Sequence, residues 1–203
     1  MELGGGEGVI ARSLLATELG CSRYVLTDLS EPRVRRAANS IGDPRIETQI
    51  LDIESSAFDG VNSERFDCVI MVALIEHLID PIVAMKNVRA KLKPGGFVYV
   101  NTPNIAKWPR RARLMQGKFP STGGSQEGLR TYGGDRVNIL DGGHFHYFTF
   151  GALSRMLTEY CGYTQCRKLP YWEGKRLLPK PLEGALATAW PEMFSELSLI
   201  AYK

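Results

Sequence analysis

Along the first hundred residues, apolar positions recur with strand and helix periods in turn. A short apolar start carrying an acid, Met1-Glu2-Leu3, runs into Gly4-Gly5-Gly6-Glu7-Gly8, and residues 9–19 then read as a helix. Residues 23–27 (RYVLT) are a short β-branched and aromatic run followed by Asp28, and Pro32 suits the first turn of a helix reaching residue 39. Residues 46–51 alternate enough for a third strand ending at Asp52. The stretch 66–72 (FDCVIMV) is almost wholly apolar, as a strand covered on both faces should be. Asp80 and Pro81 supply an N-cap and a first-turn proline. Ile82, Val83, Met85, Val88 and Leu92 make one stripe of that helix, and Lys93-Pro94-Gly95-Gly96 ends it before a fifth strand at 97–100. The alternation predicts an α/β fold with a doubly wound, mostly parallel sheet, helices on both faces and right-handed crossovers.

The pattern breaks after residue 101. Residues 102–143 are rich in Gly, Pro, Arg and polar side chains, too long for a simple connection. They are expected to form a lid-like insertion at about 102–145, mobile over 118–136, with a short helix near Trp108. Thr149 can cap a last strong helix carrying Leu153, Met156, Leu157 and Tyr160. Residues 163–169 and 195–202 read as closing strands, with a short helix near 182–189 between them. The expectation is one domain over 1–203.

Composition narrows the class. Hydrophobic content of 44% and charged content of 23% are those of a soluble globular protein. No apolar run approaches membrane-spanning length and no signal peptide opens the chain, so a cytoplasmic protein is expected. Cys21, Cys68, Cys161 and Cys166 show no paired spacing, which argues for reduced thiols and no zinc site. A net charge of +3 is too small to imply nucleic acid. Met1 falls inside the first strand, so the expectation is a misassigned start, a fragment or a trimmed chain.

Ligands of open α/β sheets bind at the carboxyl ends of the strands. The glycine turn lets a cofactor approach without meeting a β-carbon. A dinucleotide fingerprint would want a small residue where Val9 stands, whereas Gly8 completes the spacing used for the amino-acid end of S-adenosylmethionine (SAM). Asp28, twenty residues past Gly8, can take both ribose hydroxyls or can cap the helix at Glu31-Pro32. Asp52 can accept from an adenine amino group or be a solvated strand-end acid. Glu2 can receive the cofactor ammonium, directly or through water, or be a surface acid at a frayed terminus.

Glu-Leu-Gly-Gly-Gly-Glu-Gly at 2–8, Asp28 with Leu29-Ser30-Glu31-Pro32, and Asp52 resemble the cofactor motifs of class I SAM-dependent methyltransferases. Phe66-Asp67-Cys68-Val69-Ile70, Leu74-Ile75-Glu76-His77-Leu78, Asp80-Pro81, Leu92 to Gly96 and Thr102-Pro103-Asn104 are similar to the UbiG-like branch (methyltransferase type 11/23). Trp108, Arg111, Leu114, Gly117-Lys118-Phe119, Ile139-Leu140-Asp141, His144 and Phe148-Thr149 resemble a subgroup related to methionine-biosynthesis W-type proteins and to methyltransferases of bacterial glycan clusters. The resemblance runs to about residue 169. It implies a Rossmann-like seven-stranded sheet with an antiparallel last strand and SAM as cofactor. The implied cofactor residues are Glu2, Gly4, Gly6, Gly8, Asp28, Leu29, Asp52, Ile53, Met71 and Val72. The family usually carries residues and often a helix before the first strand; here the first strand is shortened.

Methyl transfer is a displacement at a sulfonium carbon, so the protein mainly aligns the partners and excludes water, without needing a metal. An oxygen nucleophile profits from a general base, and histidine suits that role at neutral pH. His144 and His77 are the catalytic candidates, each set against a structural hydrogen-bonding role. His146 would share a strand face with His144. Among the cations Lys107, Arg110, Arg111, Arg113 and Lys118, arginines could clamp an acceptor carboxylate or phosphate, or the group could be a solvated helix face. Asn104, Arg111 and Arg113 are the expected acceptor contacts. The expected function is methyl transfer to a small-molecule or saccharide-derived acceptor, at oxygen. The rivals are a nicotinamide-dependent dehydrogenase and a degenerate SAM-binding domain without turnover, and an RNA surface is the least supported.

Overall fold

The computed structural model describes residues 1–17, 20–55, 65–123, 130–132, 136–138, 141–170 and 180–203. Among these residues the strands are β1 (Glu2–Leu3), β2 (Tyr24–Asp28), β3 (Ile46–Ile50), β4 (Phe66–Val72), β5 (Leu92–Thr102), β6 (Arg130–Tyr132), β7 (Arg136–Asn138), β8 (Gln165–Lys168) and β9 (Leu197–Tyr202). Seven of them form one sheet in the order β3-β2-β1-β4-β5-β9-β8, and β6 pairs with β7 as a separate hairpin. β1 to β5 run parallel, and β9 lies antiparallel to both β5 and β8. This is the doubly wound, seven-stranded sheet with an antiparallel last strand that the family resemblance implies. The first strand is two residues long, held between β2 and β4 by the pairs Glu2 with Leu26 and Leu3 with Met71.

The helices are α1 (Val9–Leu15), α2 (Glu31–Ser40), α3 (Pro81–Lys91), α4 (Trp108–Met115), α5 (Phe150–Arg155), α6 (Lys180–Ala189) and α7 (Pro191–Phe194). β2 shows how both sheet faces are covered. Tyr24 and Leu26 point to one side and pack with Ala11, Leu15, Ala37 and Ile41 of α1 and the α2 region. Val25 points to the other side, into the larger cluster that holds Met85, Val88, Leu153 and Leu157. Strand residues alternate faces, so a fully apolar strand needs a helix layer on each. Asp80 caps α3 by accepting from the Ile82 and Val83 amides at 3.0 Å each, and Thr149 caps α5 through the Ala152 amide.

Several boundaries depart from the sequence reading. α1 stops at Leu15, because the amide and hydroxyl of Thr17 both turn back to the Leu14 carbonyl. Leu92 belongs to β5, not to the helix stripe: it pairs with Phe66, and the register shifts between Phe66 and Cys68. Gly96 permits that irregularity, since a β-carbon there would sit 3.0 Å from the backbone oxygens of Phe66, Asp67 and Lys93. α7 was not foreseen. Within the insertion, α4 and the β6–β7 hairpin are present, while residues 124–129 and 133–135 of the expected mobile stretch 118–136 lie outside the described residues. The insertion's ends meet: Asn104 bridges to Phe148, and the Ile105 amide donates to the Phe148 carbonyl at 3.1 Å. Among the described residues, no helix is long and apolar enough to cross a membrane.

Candidate active site

The chain leaves β1 for strands on one side and then returns to start β4 on the other, so the strand order reverses between β1 and β4. A crevice opens outside the carboxyl ends of such strands. The glycine turn sits at the end of β1. Gly4, Gly6 and Gly8 all have positive φ, a region that side chains with a β-carbon enter at a cost. Their surroundings differ. A β-carbon on Gly6 would meet nothing within 4 Å, whereas on Gly8 it would lie 2.3 Å from Ile41 Cδ1. Gly6 therefore faces open space and Gly8 faces the core. Val9 is 65% exposed, and helix-to-sheet packing falls to Ala11, two residues on. A small residue at position 9 is not needed here.

Asp28 ends β2 and is tied to this turn. Its Oδ2 accepts from the Gly6 amide at 2.9 Å and its Oδ1 from the Ser30 amide at 2.8 Å. The cap position of α2 belongs to Ser30, not to Asp28. Each carboxylate oxygen keeps a second lone pair, so a ribose diol can still be received. Leu29 beside it is 69% exposed. Glu2 is not a surface acid at a frayed end. It is 2% exposed, lies under Gly5, and its Oε2 accepts from the Tyr24 hydroxyl at 2.8 Å. Burial raises its carboxyl above the ordinary value, against the Tyr24 hydrogen bond. Asp52 follows β3 as an exposed acid accepting from the Glu54 amide. Ile53 and Met71 are core residues, 6% and 0% exposed, so their side chains are spent on packing. Val72 is half-buried at the end of β4. An open glycine cradle with a carboxylate at the next strand end fits a nucleoside bearing a charged amino-acid tail.

Beyond β4, Ala73 holds φ 48, an uncommon value for a residue with a β-carbon, and Leu74 closes over Gly4. This brings Ile75, Glu76 and His77 to the crevice. Glu76 is 1% exposed; Thr102 Oγ1 donates to its Oε2 at 2.8 Å, and its Oε1 is buried with no hydrogen-bond partner. Desolvation raises the Glu76 carboxyl above the ordinary range. The Glu76 carbonyl accepts from the Phe145 and His146 amides, drawing the end of the insertion inward. His144 then meets His77 edge to face, with ring centroids 4.7 Å apart. Ligating atoms of Glu76, His77 and His144 all lie within 4.8 Å of one another. His77 Nδ1 donates to the Gly143 carbonyl at 2.9 Å. His144 Nδ1 is 2.7 Å from Thr122 Oγ1, which in turn donates to Asp141. Asp141 also holds a positive φ of 43. Burial would raise its carboxyl, but hydrogen bonds from Ser121 and Thr122 outweigh that and hold it low.

The two expected histidines are thus brought together. His146 is turned away, to the Ile79 carbonyl. The expected acceptor contacts fare differently. Asn104 is 0% exposed, and its side chain is used up by the Glu192 and Ser195 carbonyls and the Ala106 amide. That corrects its reading as an acceptor contact: it is a joint between the start of the insertion and the C-terminal end of α7. Lys107 and Arg110 both bind the largely buried Glu196. Arg111 and Arg113 donate through Nε to the Ala106 and Phe119 carbonyls, which fixes each guanidinium on the insertion. Glu76, Thr122 and Asp141 received no role from sequence. An acid set between apolar Ile75 and Leu78 was the available signal for Glu76.

Residues 1–163 match the methyltransferase-domain family. The chain is 31% identical over 128 residues to a hybrid PKS-NRPS synthetase of Emericella nidulans, covering 59% of this chain and 3% of that one. It is 27% identical over 106 residues to the ubiquinone biosynthesis O-methyltransferase of Parvibaculum lavamentivorans, covering 51% and 40%. The chain thus spans less than half the length of either relative. The CurJ carbon methyltransferase superposes with a TM-score of 0.64 at 20% identity, over 99% of this chain and 47% of that one, and shares the fold. With the family matched over most of its length, and with this sheet order and glycine turn, the chain belongs to the class I SAM-dependent methyltransferases.

Proposed function

We propose that this enzyme transfers the methyl group of SAM to an oxygen of a small-molecule or saccharide-derived acceptor. The observation that carries the reading is the meeting of Glu76, His77 and His144 beside the glycine turn. Bound SAM supplies an electrophilic methyl on a sulfonium. Glu2, the glycine turn, Asp28, Leu29 and Asp52 hold and orient it, and the main chains of Ile53, Met71 and Val72 complete its walls. Oxygen is a poor nucleophile until its proton leaves, and a proton acceptor at the crevice mouth serves that need. We assign this role to His144: with Thr122 donating to Asp141, His144 Nδ1 donates to Thr122 and the lone pair of the neutral ring is on Nε2. His77 has the same tautomer through Gly143. The exposed Phe145 and Tyr147 beside them give an acceptor an apolar surface to rest on.

The test is a panel of hydroxyl, carboxyl and activated-carbon acceptors assayed with SAM. Methylation at oxygen, lost roughly 10²–10⁴-fold in His144→Ala with affinity for S-adenosylhomocysteine retained, supports the reading. Methylation at carbon alone, or a His144→Ala enzyme of unchanged rate, defeats it.

A further inference from the structure

We propose that Glu76, His77 and His144 form a binding site for a first-row divalent transition cation of the zinc type. Four observations converge on it. The three side chains bring one ligating atom each to within 4.8 Å of one another. Glu76 Oε1 is buried without a hydrogen-bond partner, a costly state for a carboxylate that a cation would relieve. Both imidazoles are set up from behind. His77 Nδ1 can only donate to the Gly143 carbonyl, which leaves the lone pair on Nε2. Thr122 Oγ1 stands between Asp141 and His144 Nδ1; with its hydroxyl hydrogen on the Asp141 side, it accepts from His144 Nδ1, the tautomer whose lone pair is on Nε2. Metal-bound histidines characteristically donate their other nitrogen to a carbonyl or a carboxylate-backed group in this way. Finally, the backbone is strained on both approaches, at Ala73 three residues before Glu76 and at Asp141 three before His144.

Two imidazoles and one carboxylate favour zinc and its neighbours over magnesium or calcium, which seek oxygen ligands. Metal–ligand distances of about 2.0–2.2 Å require the three atoms to draw together by roughly 1 Å, a small rotamer adjustment for the half-buried His144. Three protein ligands leave a further position open, and an acceptor oxygen entering it would lose its proton more easily, to a solvent base, because in the cation-bound site His144 Nε2 is a ligand and no longer the proton acceptor. That role, though not the binding itself, rests on the reading of this cluster as the place where acceptor oxygen is activated.

The test is titration of the untagged chain with Co²⁺, a coloured stand-in for zinc, alongside calorimetry with S-adenosylhomocysteine. The expected result is a visible band saturating at one equivalent, displaced by Zn²⁺ and not by excess Mg²⁺. His77→Ala, His144→Ala and Glu76→Gln should each weaken Co²⁺ at least tenfold while S-adenosylhomocysteine still binds. Thr122→Val should weaken it about 10- to 100-fold, and His146→Ala should leave it unchanged. Should His77→Ala or Glu76→Gln fail to fold, His144→Ala and Thr122→Val decide alone. Absence of a saturable band, thiolate-to-metal absorption from the cysteines only, or wild-type affinity in His144→Ala and Thr122→Val would overturn the site. Loss of S-adenosylhomocysteine binding by the wild-type chain would instead overturn the cofactor reading and leave the cation result standing.

Discussion

The Asp28 carboxylate takes the Gly6 amide at 2.9 Å, so the end of β2 and the open point of the glycine turn move as one unit. Asp28→Ala removes a charged acceptor from two amides and, in the proposed cofactor site, from a ribose. Affinity for S-adenosylhomocysteine should fall by about 1–3 kcal/mol by calorimetry, with a smaller loss of thermal stability. Unchanged affinity would mean that the carboxylate serves only the turn.

Gly6 and Gly8 should separate binding from folding. Both alanine variants carry the left-handed backbone cost of about 1–2 kcal/mol. Gly8→Ala also drives a methyl into Ile41, so its melting temperature should drop further. Gly6→Ala meets no protein atom, so its excess loss should appear in cofactor affinity. The reverse ranking in paired melting and calorimetry experiments would show that the open space above Gly6 is not the cofactor's.

Glu196 anchors α4 and the insertion to β9 through Lys107 and Arg110. Burial alone would raise its carboxyl, but Arg110 and then Lys107 overcome this and hold it below the usual range. A depressed native value contributes stability above the unfolded pKa of about 4.3 and loses it as pH falls through the native value. Glu196→Gln should therefore cost about 3 kcal/mol near neutrality and flatten the acid limb of the melting profile. An equally steep acid limb in the variant would assign that loss to other carboxylates.

Glu2 should behave in the opposite sense. Its native carboxyl is raised by burial, so its contribution is present below the unfolded pKa and disappears as pH rises through the raised value. Glu2→Gln keeps an acceptor for Tyr24 and removes a buried charge. Stability at neutral pH should rise by on the order of 1 kcal/mol, read as a higher melting temperature, while S-adenosylhomocysteine binds more weakly. A less stable variant at neutral pH would show that the charge is held in place by more than Tyr24.

What the sequence made legible was local. Asp80-Pro81 announces a helix start by cap chemistry that needs no tertiary partner, and the apolar run at Phe66–Val72 carries its own strand signal. The glycine turn and Asp28 lie close in sequence and across adjacent strands, so their spacing encodes their meeting. The rest depends on closure over long separations. Asn104 looks like a strand-end ligand until α7 arrives with Glu192 and its cap Ser195 and fills its hydrogen bonds. Arg110 looks like an anion clamp until Glu196 claims it. Glu76 and His144 acquire joint meaning only because the insertion folds back on the Glu76 carbonyl, which no periodicity records.

The bridge between Asn104 and Phe148 makes the intervening segment a loop whose two feet stand side by side on the sheet. A loop closed at its base can change length cheaply, each doubling costing only about 0.6 kcal/mol in closure entropy. Length is accordingly cheapest to change between Thr122 and Asp141, whereas Thr122, Asp141 and His144 themselves are fixed by their contacts with one another and with His77. A change of length there would leave β5, α5 and the glycine turn where they are.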